Sequence, residues 1–254
     1  MLAVIFVLIL INPVMIFSDT VSFRIGYFIP RAEGSLWDIE FENMTFNKPD
    51  FHNTLFSFSY DYFLSNRISL NLAVNGYNKQ EVGSYPGFIG LQTFQDWAYP
   101  EAFEDQLFPD FTFTPSHALS VSITPVQASI KFTPLGRAGK FIPYIGGGIS
   151  LYVWSVIIRG DIIDFENEQY DPDRDAPVFP VYQVNVREES KFAVGYHGFA
   201  GVMIPVANRI SFDGGFRFHS AEGRFSQDFY SQFFGVDTFD LSGYTITVGL
   251  NYWF

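Results

Sequence analysis

The strongest constraint in this sequence is an alternation of period two over its last eleven residues, Tyr244-Thr-Ile-Thr-Val-Gly-Leu-Asn-Tyr-Trp-Phe254. Successive side chains of a β-strand point to opposite faces. Tyr244, Ile246, Val248, Leu250, Tyr252 and Phe254 therefore share one face, and Thr245, Thr247, Gly249 and Asn251 share the other. A soluble sheet gains little by ending on exposed Tyr-Trp-Phe. A strand crossing a bilayer gains an apolar outer face and interfacial aromatic anchors.

The same alternation recurs in segments 20–30, 51–63, 67–77, 116–133, 141–158, 191–205 and 209–220, which with 241–254 makes eight strands. In the seventh, Ile210, Phe212, Gly214, Phe216 and Phe218 oppose Arg209, Ser211, Asp213, Arg217 and His219. Within 116–133 the apolar phase slips near Pro125, from Leu119, Val121 and Ile123 to Val126, Ala128, Ile130 and Phe132. A bulge there is the expected cause. Connections alternate between short turns, near 65–66, 134–139 and 206–208, and long loops over 31–50, 78–115, 159–190 and 221–240. Long loops of that kind are rare in compact soluble domains but usual on one side of an outer-membrane barrel.

Charge divides the same way. All acidic residues except Asp19, Asp61 and Asp213 fall in the long loops, whereas Arg67, Arg137, Lys140 and Arg209 sit at the short turns. The net charge of −12 argues against a nucleic-acid partner, because phosphate contacts need a basic surface. The absence of cysteine excludes disulfides and thiolate chemistry. The apolar run Leu2–Ile11 is read as the core of a signal peptide over residues 1–18, leaving 19–254 as the barrel. No Lys or Arg precedes that core, which points to a start codon lying upstream.

Alternation alone does not say which face is outside. A soluble barrel would have to pack the Phe, Tyr, Ile, Leu and Val of eight strands into an interior barely wide enough for side chains. The opposite face carries Gly, Ser, Thr, Asn and Ala, which do fit. The expected fold is thus all-β, an eight-stranded antiparallel up-and-down transmembrane β-barrel in the bacterial outer membrane.

The stretch Thr124-Pro-Val-Gln-Ala-Ser-Ile-Lys-Phe-Thr-Pro-Leu-Gly-Arg-Ala-Gly-Lys-Phe-Ile-Pro-Tyr-Ile-Gly-Gly-Gly-Ile149 resembles the central hairpin of the OmpW- and OmpA-like small outer-membrane barrels. Gly198–Asp213, running on to Phe218, resembles the following hairpin. The resemblance implies a monomer in outer-membrane lipid that binds small, apolar molecules or eases their passage. It also implies recognition of the terminal strand, through Tyr252 and Phe254, by the barrel-assembly machinery. The competing reading is a structural or interaction barrel with a sealed lumen and acidic external loops. No cofactor and no enzymatic activity are expected.

Four groups of residues are candidates for chemistry. Arg24, Asp61, Lys131, His197, Asp213, Arg217 and His219 fall on inward faces, where unpaired charge is costly, so they form a lumen charge network. Asp213 and Arg217 lie too far apart along one strand to pair, so Asp213 is expected to take Arg24 across the small inward residues of the last strand. Asp61 is expected to take Arg24 or Lys131. Asp171, Asp173 and Asp175 have a spacing that calcium loops use, without the glycine and glutamate that complete one, and are a weak metal candidate. His219, Ser220 and Glu222 faintly resemble a barrel deacylase site, but adjacent strand residues face opposite ways. The aromatic second loop, from Tyr85 through Phe113, is expected to fold over the barrel mouth with a helical turn near 101–107.

Overall fold

A computed structural model describes residues 19–226 and 236–254. Residues 1–18, read above as a signal peptide, and 227–235 in the fourth long loop lie outside the described residues. The chain forms one antiparallel sheet. Its eight long strands are β1 (Thr20–Pro30), β2 (Asn53–Phe63), β3 (Ile68–Ser84), β4 (Ser116–Phe132), β5 (Ile142–Ile163), β6 (Ala176–Ala207), β7 (Ile210–Arg224) and β8 (Gly243–Trp253). Each pairs with its neighbours in chain order. β8 also pairs with β1, from Thr20 opposite Trp253 to Pro30 opposite Gly243, so the pairing runs round and closes.

The sheet holds 13 strands rather than eight. The additional five are short and belong to the long loops: Phe88–Leu91, Trp97–Pro100, Thr112–Phe113, Gln169–Asp171 and Thr238–Asp240. The third long loop also proves shorter than expected. β5 and β6 run on as a paired hairpin through Ile163 and Val181, with one irregularity between Glu188 and Lys191. Their extensions carry Arg159, Arg187 and Glu189, polar residues that hid the strand from a search for apolar alternation.

No bulge occurs at Pro125. The pairing of β4 with β5 is continuous from His117 to Phe132, and every second residue from 117 to 131 is buried. What changes is the chemistry of the two faces. Toward one end Val126, Ile130 and Phe132 are exposed while Gln127, Ser129 and Lys131 are buried. Toward the other end Leu119, Val121 and Ile123 are buried and serines flank them outside. The same inversion occurs on β1, where outward Phe23 and Ile25 give way to buried Phe28, and on β3, where outward Leu72 and Val74 give way to buried Tyr77. One half of the closed sheet is apolar outside and polar inside. The other half, from which the long loops rise as a crown, is apolar inside and polar outside.

The apolar half is plugged by the first loop. Helix α1 (Ser35–Asn43) buries Leu36, Trp37 and Glu40 on one side. A following turn, Lys48–Phe51, is capped by reciprocal hydrogen bonds between Asn47 and Asp50 and delivers a fully buried Phe51. Trp37 packs against Phe51 and Phe239, and Phe239 stacks on Trp154 of β5. The aromatic second loop divides: Tyr85 and Ala98 join the core around Trp37 and Phe51 at the mouth, with Phe88 and Phe113 packed against it. Leu91, Tyr99 and Leu107 pack with Ala176 and Val178 as a separate cluster beside the β5–β6 hairpin. The helical turn in that loop is a 3-10 segment, Glu101–Gln106.

Candidate functional site

The polar half of the interior is held by two ion pairs on opposite walls. Arg24 rises from β1 and Asp213 from β7, with β8 between them. A Cβ at Gly249 of β8 would sit 2.6 Å from Arg24 Cγ, so only glycine lets the arginine cross. Arg24 Nε and Nη2 donate to the two Asp213 oxygens at 3.0 and 3.2 Å, and Nη1 donates to Ser59 at 2.8 Å. Asp213 also accepts from the Tyr144 hydroxyl at 2.9 Å and from Asn251 at 3.2 Å. On the other wall Lys131 Nζ donates to Asp61 at 2.9 Å, and Asn71 donates to the second Asp61 oxygen at 2.9 Å. The Lys131 ammonium lies 4.3 Å from the centre of the Tyr144 ring, which links the two pairs.

Above them lies a layer of neutral and mixed groups. Arg217 hydrogen-bonds Gln127 and stands over the Phe199 ring at 4.9 Å. His197 joins Ser129 and Ser150, each at 2.7 Å. His219 contacts Thr245 at 3.0 Å and Gln127 at 3.3 Å. All seven interior residues named from the sequence thus stand on the inner wall, and all but Arg217 are buried. Their hydrogen bonds reach all eight long strands, which ties register round the ring.

Among the described residues two internal voids remain, of about 20 and 10 Å³. The first is lined by Arg24, Lys131, Tyr144 and Arg217, and the second by Phe28, Tyr77, Tyr152 and His219. Each is water-sized. The end below the ion pairs is closed by Phe63 stacked on Trp253, with the Arg137 guanidinium 3.9 Å from the Phe63 ring centre. The end above is closed by the aromatic plug.

The remaining sequence candidates separate. Asp171 accepts from Arg174 at 2.8 Å and from the Tyr99 hydroxyl at 2.9 Å, while Asp175 is engaged by Tyr170. The Arg174 hydrogen bond holds the Asp171 carboxyl below its ordinary range, and burial followed by Asp171 pushes the Tyr99 phenol up to about 12. Among the described residues no three His, Asp or Glu are grouped to hold a metal. His219 faces the interior, with Ser220 on the opposite side of the strand. Phe212, Phe216, Ile246 and Leu250 are exposed, but Phe218 is only half-exposed because Tyr196 and Tyr244 lean on its ring.

One arrangement in the crown had no signal in the sequence. Glu40 of α1 and His117 at the start of β4 are both buried, and Glu40 Oε2 lies 2.7 Å from His117 Nε2. Residues 77 apart with no shared motif give pattern reading nothing to hold.

No family model matches this sequence, and a search of curated proteins finds none that matches. Among solved structures, the outer membrane protein OprG from Pseudomonas aeruginosa aligns over 94% of this chain and 96% of its own, at 11% identity and a TM-score of 0.48. Ail, the attachment invasion locus protein of Yersinia pestis, in complex with the heparin analogue sucrose octasulfate, aligns over 94% and 100%, at 11% identity and 0.44. Neisserial surface protein A aligns over 93% and 97%, at 12% identity and 0.42. With TM-scores below 0.5, these likenesses carry no argument about this chain.

Proposed function

We infer that the chain is an eight-stranded outer-membrane β-barrel, closed along its axis, which presents an ordered acidic crown as its working surface. The inversion of faces along single strands supports the membrane part. Eleven residues of β8 and its terminus at about 3.4 Å each, tilted about 45°, give an apolar belt on the order of 25 Å tall, the height of a bilayer core in such barrels. Exposed Phe23, Phe58, Leu72, Ile149, Val194 and Phe212 would be a severe liability in water. Lipid turns that exposure into anchoring. The hairpins that resemble OmpW- and OmpA-like barrels favour the same reading.

The observation that carries the functional part is the packing of charged and aromatic side chains across the interior. Two salt bridges, an aromatic floor and an aromatic plug support a closed axis. The barrel then serves as an anchor and scaffold, monomeric in lipid and without catalysis of its own, and its contacts are made by the crown. The test is solute flux through purified barrels in liposomes, by swelling in isosmotic sugars, amino acids and small hydrocarbons derivatised with a polar group. Swelling rates equal to protein-free liposomes are expected. Swelling above that baseline would contradict the closed-axis reading. A second reading, binding of a small molecule without passage along the axis, is favoured by a cavity of about 190 Å³ in the crown.

A further inference from the structure

The crown cavity lies between α1, the ends of β4 and β5, and the turn that follows β5. Ile39, Met44, Ile162, Ile163 and Phe165 supply its apolar wall. Its volume exceeds the roughly 150 Å³ that accommodates a benzene ring in an engineered cavity. Glu40 and His117 form the polar wall, with side chains each only 2% exposed. A buried carboxylate has about four acceptor sites. Glu40 Oε2 is engaged by His117, and among the described residues nothing donates to Oε1. Glu166 also lines the cavity, and no lysine or arginine does.

We propose that this cavity binds a small apolar amine, its ammonium on Glu40 and its hydrocarbon body against Ile39, Met44, Ile162 and Phe165. The contacts of His117 admit two proton arrangements, and an ammonium fits one of them. Tyr85 Oη lies 3.3 Å from His117 Nδ1, and the Asp161 backbone carbonyl oxygen lies 3.2 Å from the same nitrogen. In one arrangement the Tyr85 hydroxyl donates to Nδ1 and Nε2–H donates to Glu40. The imidazole is then neutral and the carboxylate anionic. In the other arrangement Nδ1–H donates to Asp161, and a further proton is shared between Nε2 and Glu40, which cancels the wall's charge. An ammonium at Oε1 stabilises the first arrangement and is repelled by the imidazolium of the second. A carboxylate ligand would meet Glu40 and Glu166 without a cation. A neutral alcohol could hydrogen-bond Oε1 but would gain no charge pairing. The Asp161 carboxylate itself is occupied by the Ser116 backbone N–H at 3.2 Å. The proposal rests on the crown alone, so its failure leaves the membrane-barrel reading standing.

The test uses the refolded full barrel in lipid nanodiscs with three isosteric probes: benzylamine, benzyl alcohol and benzoate. Calorimetry against empty nanodiscs measures binding beyond partition into lipid. Saturable benzylamine binding at least tenfold tighter than benzyl alcohol is expected, about 1.4 kcal/mol, with no saturable benzoate binding. Glu40→Gln should abolish the tenfold preference, and Ile162→Trp should remove binding of amine and alcohol together by filling the cavity. The chain has four histidines, so the His117 ring nitrogens can be followed by nitrogen-15 NMR in the unaltered protein. At saturating benzylamine they should report the neutral Nε2–H tautomer. Equal affinity for the three probes, an amine preference that survives Glu40→Gln, or a His117 signal of the imidazolium or the Nδ1–H tautomer at saturating amine would overturn the proposal. If Glu40→Gln does not fold, the tautomer signal and Ile162→Trp decide.

Discussion

Replacing Asp213 by alanine probes the interior most severely. The Asp213 side chain has no exposure, and it accepts four hydrogen bonds, two of them from Arg24. Without it Arg24 keeps only Ser59, and Tyr144 and Asn251 each lose an acceptor. The neighbouring ionic groups make matters worse. Arg24, Lys131 and Arg217 face only Asp61 and Asp213, so the substitution leaves three cations against one carboxylate. Breaking a buried pair by removing one partner costs about 3–5 kcal/mol. The void of about 20 Å³ beside Arg24 and Lys131 can take one water, which places the expected loss at the lower end. That is about 3 kcal/mol, on the order of a hundredfold in the folding equilibrium. Urea unfolding of the barrel refolded into lipid vesicles, followed by tryptophan fluorescence, measures it. A double variant, Arg24→Met with Asp213→Leu, removes both charges and should lose less than the sum of the two single losses. An unchanged midpoint for Asp213→Ala, or strict additivity in the double variant, would refute a coupled interior.

Further outcomes follow from other parts of the molecule. Phe216→Arg places a charge on the belt, and should destabilise the barrel in lipid by about 2–4 kcal/mol if that position lies near the midplane, read by the same unfolding assay. Gly148→Ala puts a Cβ 2.7 Å from Ser129 Cα and against the Ala128 carbonyl, so refolding yield should fall and stability drop by about 1–3 kcal/mol; normal yield would mean that β4 and β5 separate easily. Deleting Phe254 should lower outer-membrane yield in cells while the inserted fraction keeps its heat-modifiable migration on gels. Asp171, held below its ordinary range by Arg174, contributes order to the second and third loops that is full above the ordinary carboxylate pKa. That order should be lost as pH falls through the depressed value, seen as faster proteolysis near Tyr99 in acid.

Pattern reading works where one physical rule dominates. The inward placement of Arg24, Asp213, Asp61 and Lys131 is legible because each occupies the small-residue face of an alternating strand. Gly249 and Thr247 on β8 mark the gap an arginine can cross. The apparent bulge at Pro125 shows where the rule runs out. A strand that leaves the bilayer keeps its register while its surroundings exchange, and the sequence then shows the same phase slip that a bulge would produce. The extra length of β5 and β6 was illegible for a related reason, since hydrogen-bonding between two wet, charged strands leaves no apolar trace. The aromatic density of the second loop marks burial but not its division between the main core, joined by Tyr85, and the side cluster of Leu91, Tyr99 and Leu107. Trp37, on a nine-residue helix with little amphipathic signal, and Phe51, in the turn after it, fill the mouth beside Tyr85. Glu40 and His117 meet only through that docking.

The central claim is that β4 crosses from lipid to water without changing register. The cysteine-free chain allows single cysteines to be placed from 116 to 132 and spin-labelled in bilayers. Oxygen, which concentrates in lipid, and a nickel chelate, which stays in water, then report each position by relaxation. Labels at 126, 128, 130 and 132 should respond to oxygen, labels at 116, 118, 120 and 122 to nickel, and inward positions such as 121 and 129 weakly to both. Nickel access at 126–132 would contradict the lipid-facing belt, and oxygen access at 116–122 would contradict the exposed crown.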